Sequence, residues 1–141
     1  TGSKRIITDE YVHNFMAIDK DPIGNNYSLQ FPFQLKPKQF IETVNPENNV
    51  LIGSSEITFK DTINQTFFFS NLTGAKTTTA QWELKNLKTK LIIRETGNFE
   101  TNKVNLWGTK KVISPELFFT IDLATNTSVA WTRKFEILET K

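Results

Sequence analysis

One histidine and no cysteine set the limits of what this chain can catalyse. A thiolate nucleophile, a disulfide framework and a Cys- or His-rich metal site are all excluded. A Ser-His-Asp relay would have to use His13, which alternates with Tyr11 and Phe15 along one face of an early extended segment. No Gly-x-Ser-x-Gly elbow accompanies it, so His13 reads as a structural or surface side chain. Paired carboxylates are the other route to acid–base chemistry, as in glycoside hydrolysis. Glu42, Glu56, Glu83, Glu95, Glu100, Glu116 and Glu136 mostly fall on outward strand phases, with no pair set in apolar surroundings. They read as solvated strand faces, and no catalytic residue is assigned.

Binding chemistry is also thinly represented. Asp19-Lys20-Asp21-Pro22-Ile23-Gly24-Asn25 begins like an oxygen-ligand calcium loop, but Ile23 stands at the fifth position and Gln30 at the twelfth. An Asp-Pro turn accounts for it, and neither a metal nor a cofactor is expected. The six glycines are isolated, which rules out a Gly-x-Gly phosphate cradle. Lys88, Lys90 and Arg94 would share one strand face as a basic stripe able to hold a nucleic acid strand. The formal net charge of only +2 argues instead for lysines that guard sheet edges. Four Asn-x-Ser/Thr triplets, at Asn26, Asn64, Asn71 and Asn126, are close to chance in a chain so rich in Asn, Ser and Thr.

Aromatic excess is the informative feature: twelve phenylalanines and three tryptophans. Most take inward phases, but three do not. Phe68 lies between Phe67 and Phe69, Phe118 opposes Leu117 and Phe119, and Trp107 ends a strand just before Gly108. These are the candidate interface residues, since rings left outside a core mark protein contacts or stacking platforms. Trp82, Tyr27 and Trp107 are the candidates for a glycan or other ligand.

The elements that must position these residues are strands. Tyr27, Leu29, Phe31, Phe33 and Leu35 alternate with polar residues, as do Leu117, Phe119, Ile121 and Leu123, and Val129, Trp131, Arg133, Phe135 and Ile137. Ala80, Trp82 and Leu84 form a shorter version. Pro32 predicts that the first of these strands lies at an edge or carries a bulge. Further strands are expected over 11–18, 39–44, 50–59 (bent at Gly53), 65–72, 87–94 and 99–107. No segment has a helical period, and no apolar run approaches the ~18 residues of a membrane helix.

The reading is therefore an all-β single domain over 1–141, with 1–10 as a candidate N-terminal arm. Nine or ten antiparallel strands would form a jelly-roll-like β-sandwich, with a closed barrel as the alternative. The functional expectation is a non-enzymatic subunit that assembles with itself or with partner chains, in a virus or phage particle or an extracellular filament. A monomeric glycan-binding module and a small-ligand barrel are the alternatives. An extracellular or virion setting is favoured over a cytoplasmic one.

Overall fold

Strands with one apolar face are stable only where something covers that face, and a chain without long helices must use other strands. The computed structural model describes residues 2–140 and shows this solution. Its strands are β1 (Ile6–Glu10), β2 (Tyr27–Gln30), β3 (Thr43–Val44), β4 (Val50–Ile52), β5 (Glu56–Phe59) and β6 (Phe67–Phe69). They continue with β7 (Thr78–Asn86), β8 (Leu91–Thr101), β9 (Val104–Gly108), β10 (Ile113–Leu117), β11 (Phe119–Leu123) and β12 (Arg133–Glu139). A single 3-10 turn spans Pro37–Gln39.

All pairings are antiparallel. One sheet has the order β12-β8-β7-β2-β5-β4, a second β10-β9-β6-β3, and β1 pairs with β11 as a ribbon. No sheet closes on itself, so the fold is a β-sandwich and the barrel alternative is set aside. Trp82, Leu84, Leu29 and Ile57 from the larger sheet share one buried cluster with Phe67, Phe69, Leu106 and Ile113 from the smaller. Its rings pack on one another: the centroids of Phe59 and Phe67 lie 5.8 Å apart, and those of Phe67 and Phe69 6.2 Å apart. Gly108 is required here, because a Cβ on it would stand 2.3 Å from Phe67 Cζ.

Several expected strands are shorter than the alternation implies. β2 stops at Gln30, before Pro32, and lies between β7 and β5, away from any edge. The Phe31 and Leu35 amides donate instead to Ser55 and Ser54, folding that segment onto the β4–β5 turn. The bend at Gly53 is a full reversal, since β4 and β5 pair with each other. Residues 11–18 contribute only the Met16–Ile113 bridge. Residues 6–10 of the candidate arm form β1, paired along β11.

One buried polar assembly ties the sheets together. Arg133 opens β12, and its Nη1 donates to Glu95 Oε1 at 2.8 Å on β8. Its Nη2 donates to Glu10 Oε2 at 2.7 Å on β1 and to the Leu117 carbonyl at 2.9 Å on β10. Trp82 Nε1 donates to the other Glu95 oxygen at 2.7 Å. Glu95 is only 2% exposed, contrary to its expected outward phase. Its register explains why: it lies opposite Trp82, one step before the β8 bulge that shifts Gln81 against Thr96 and Thr79 against Glu100.

Burial pushes the Glu95 carboxyl up in pKa, against the opposing pull of Arg133 and Trp82. The folded state thus holds this proton more tightly than the unfolded chain does. Its contribution to stability therefore falls as pH rises through the raised range. Removing Arg133 leaves that charge buried at neutral pH and matters less in acid, where the carboxyl is neutral. Arg133→Met is expected to lose about 3–5 kcal/mol near pH 7, and clearly less near pH 4. Urea unfolding at both pH values checks this; an equal loss at both would assign the effect to packing alone.

Candidate functional site

The outward face of the four-stranded sheet gathers the rings that do not fit the core. Pairing places Val44 opposite Phe68, Phe68 opposite Trp107, and Trp107 opposite Ser114, in one row across all four strands. Phe67 and Phe69 turn inward from the same strand, so Phe68 must turn outward, where it is half-buried. The segment before β2 lies against one end of this row. Its His13 and Phe15 rings approach Trp107 at 5.2 and 5.6 Å. Past the Leu117–Val104 pair that ends β10 and begins β9, Tyr11 stacks on Phe118 at 4.4 Å, and Lys103 Nζ sits 4.1 Å above the same ring.

The sequence-derived interface residues therefore come together on one face, with a correction for Phe118. That ring is 6% exposed, because Tyr11 and Lys103 cover the single residue that separates β10 from β11. The surface it was expected to present is supplied by other residues. Phe15 is 59% exposed, Ile41 77% and Val44 46%. Of these, Phe15 was signalled by its alternation with Tyr11 and His13. Ile41 and Val44 had no signal, since an isolated apolar residue in a short loop or strand does not announce which side it faces.

His13 reaches the one place on this face with the residue types of a hydrolase. Its Nδ1 pairs with Glu116 Oε1, and Ser114 Oγ lies 3.3 Å from the same Nδ1. A serine relay needs the carboxylate on one ring nitrogen and the serine on the other, so that a lone pair faces the hydroxyl. Here both address Nδ1, so the serine and the carboxylate are not on opposite ring nitrogens as a relay requires. Glu116 keeps its expected outward phase but is only 5% exposed. Its outward-turned position opposite Asn105 is roofed by the 11–15 segment. Among the described residues, no three His, Asp or Glu side chains gather to hold a metal ion.

A shallow cleft of about 250 Å³ beside Phe68 is lined by Ile41, Glu42, Ser70, Asn71, Lys103 and Asn105. Ring plus amides resembles a sugar platform in composition, but the polar atoms serve the fold. Asn105 Oδ1 accepts from the Asn71 amide at 3.1 Å, and Ser70 Oγ from the Glu42 amide at 2.9 Å. Asn71 donates from Nδ2 to the Gln39 carbonyl at 3.0 Å and accepts from the Ala75 amide at 3.2 Å. A second cleft is lined by Ala17, Pro22 and three lysines, Lys20, Lys110 and Lys111, with no carboxylate.

Two ligand candidates are inside the protein. Trp82 and Tyr27 are each 0% exposed. Trp82 serves Glu95, while the Tyr27 hydroxyl donates to the Ile18 carbonyl at 2.8 Å and accepts from its amide at 3.0 Å. The basic stripe does not form either. Residues 87–90 make the β7–β8 turn, with Lys90 at φ 64°, so Lys88 and Lys90 leave the strand. Lys88 lies 3.7 Å from Asp21, and Arg94 pairs with Glu83 at 2.7 Å. Asp21 is also held by Asn26 and Asn86, which makes the Asp19–Asn25 stretch a locked turn.

The two tryptophans should thus separate in a stability assay. Trp82→Ala is expected to cost about 3–5 kcal/mol, and Trp107→Ala clearly less, because only the first empties the core. Guanidinium unfolding followed by circular dichroism measures both. Equal losses would mean that Trp107 is a core residue and not part of a surface. Comparison of the chain with protein-family models, with curated proteins and with solved structures gives no match.

Proposed function

We propose that this protein is a non-enzymatic β-sandwich subunit that assembles with further copies of itself through the outward aromatic face of its four-stranded sheet. The reading extends to the subunit of a particle shell or an extracellular filament, where many copies pack side by side. The observation that carries it is the row Val44–Phe68–Trp107, flanked by Phe15 and Ile41, which leaves apolar side chains in water on one face. Burying them in a contact recovers roughly 25 cal/mol per Å² of apolar area, which is the driving force of protein association.

A glycan module is less well supported, because the amides and hydroxyl beside Phe68 are already bonded to the backbone. Sugars need such groups free and aimed at the ligand. A stable contact needs on the order of 800 Å² from each partner, about a tenth of the chain's 7944 Å² surface. The aromatic face and its rim are one side of such a contact.

Light scattering after size exclusion, over a concentration series, tests the proposal. The wild-type chain is expected to rise above its 16.2 kDa monomer mass to a discrete multimer. Phe68→Ser with Trp107→Ser should return it towards the monomer without loss of the folded circular dichroism signal. A wild-type chain that stays monomeric up to about millimolar concentration, where even weak contacts form, overturns self-assembly through this face.

A further inference from the structure

The sandwich has a second unpartnered apolar surface, at the edge strand β12. Of the edges of its two larger sheets, β4 has three residues and β3 two, while β10 carries Pro115 and is bridged by Met16. β12 has seven residues, no proline and no bulge in its pairing with β8. Phe135 and Ile137 are 44% and 79% exposed on it. They continue the inner face of the sheet beyond Trp82 and Glu95, beside Leu91 and Ile93. A long edge with neither proline nor bulge can template another strand, and its four charged residues, Arg133, Lys134, Glu136 and Glu139, restrict which strand fits.

The backbone says which groups are offered. The Thr140 amide donates to the Lys90 carbonyl at 2.9 Å, and the Asn98 amide to the Thr132 carbonyl at 3.2 Å. Even-numbered positions of β12 thus direct their hydrogen bonds at β8. By antiparallel alternation, the N–H and C=O of Arg133, Phe135, Ile137 and Glu139 point to the open side.

We infer that β12 pairs antiparallel with β12 of a second copy about a two-fold axis at Phe135, joining the two six-stranded sheets into one. The charges select this register. With the axis at Phe135, Lys134 of each copy stands opposite Glu136 of the other on the solvent face, and Phe135 meets Phe135. A slip of the axis by one residue in one direction sets Lys134 against Lys134. The opposite slip sets Glu136 against Glu136. Like charges directly opposite are destabilising and opposite charges favourable, so both slips are penalised. The occupant is a second copy of this chain because the edge is complementary to itself in this way. This contact extends the assembly reading to another surface, and one subunit with two separate self-contacts propagates beyond a dimer.

Charge exchange tests the register. Lys134→Glu and Glu136→Lys should each weaken association by several-fold to about tenfold, since each creates two like-charge pairs per dimer. The double exchange should recover wild-type association to within about threefold. Sedimentation equilibrium measures the mass, and thermal unfolding shows that the subunits themselves are unchanged. The chain lacks cysteine, so Phe135→Cys also introduces a single thiol. In this register two such residues face each other with Cα atoms about 5.5 Å apart, within disulfide reach. Oxidation should give a covalent dimer much faster than for Ile137→Cys, which lies opposite Arg133.

Equal oxidation rates, or singles and double exchange alike in mass, overturn the edge pairing. If association then still yields to Phe68→Ser with Trp107→Ser, the aromatic-face reading stands alone. If the β12 exchanges dissolve the multimer and the aromatic-face variants do not, the edge contact stands and the aromatic-face reading falls. A chain that stays monomeric throughout overturns both.

Discussion

The Arg133 guanidinium, held between Glu95, Glu10 and the Leu117 carbonyl, is the contact on which the placement of the sheets depends. It draws one strand from each sheet and from the ribbon to a single point with 8% side-chain exposure. Two charges taken from water at that depth are costly unless every oxygen and most nitrogens are met. Trp82 and Arg133 meet both Glu95 oxygens, and the Phe99 ring lies 4.9 Å beneath the guanidinium. An apolar contact would tolerate sliding between sheets. A directional ionic one does not, so this site fixes register where hydrophobic burial alone would leave it loose.

From that anchor follows the division of the rings. Trp82, Phe67, Phe69 and Tyr27 fill the space between the sheets, and the Tyr27 hydroxyl closes the Ile18 turn at its edge. The outer face of the larger sheet is dressed with ions. Arg94 bridges to Glu83, Lys85 to Gln30, and Lys134 to Glu136, whose carboxyl is held below its usual range by Lys134 and Arg94. The outer face of the smaller sheet has no such ladder: its row is Val44, Phe68 and Trp107. The same sandwich thus has one hydrated face and one aromatic face.

The polar groups on that aromatic side are structural. His13, Glu116 and Ser114 clamp the 11–15 segment to β10, and the asparagines beside Phe68 hold loops. Groups already paired within the fold would have to give up those partners to serve any ligand. On the assembly reading proposed above, the exposed apolar area and the open edge of β12 are what a second copy would meet. Both are the currency of protein association.

The sequence alone determined the fold class and the odd phase of particular rings. Strict alternation makes one-sided strands, and three consecutive phenylalanines force the middle one to the opposite face, whatever the partners are. Phe68 and Trp107 were legible for that reason. Where β2 stops was not legible, because the segment around Pro32 is held by the Phe31 and Leu35 amides on the distant Ser55 and Ser54 carbonyls. Nor was the depth of Glu95, Glu116, Tyr27 and Trp82, or the loss of Lys88 and Lys90 to a turn. Alternation reports which side a residue faces; burial depends on whether another segment covers that side. Arg133 lies 38 residues from Glu95 and 123 from Glu10, and only the packed sheets bring the three together.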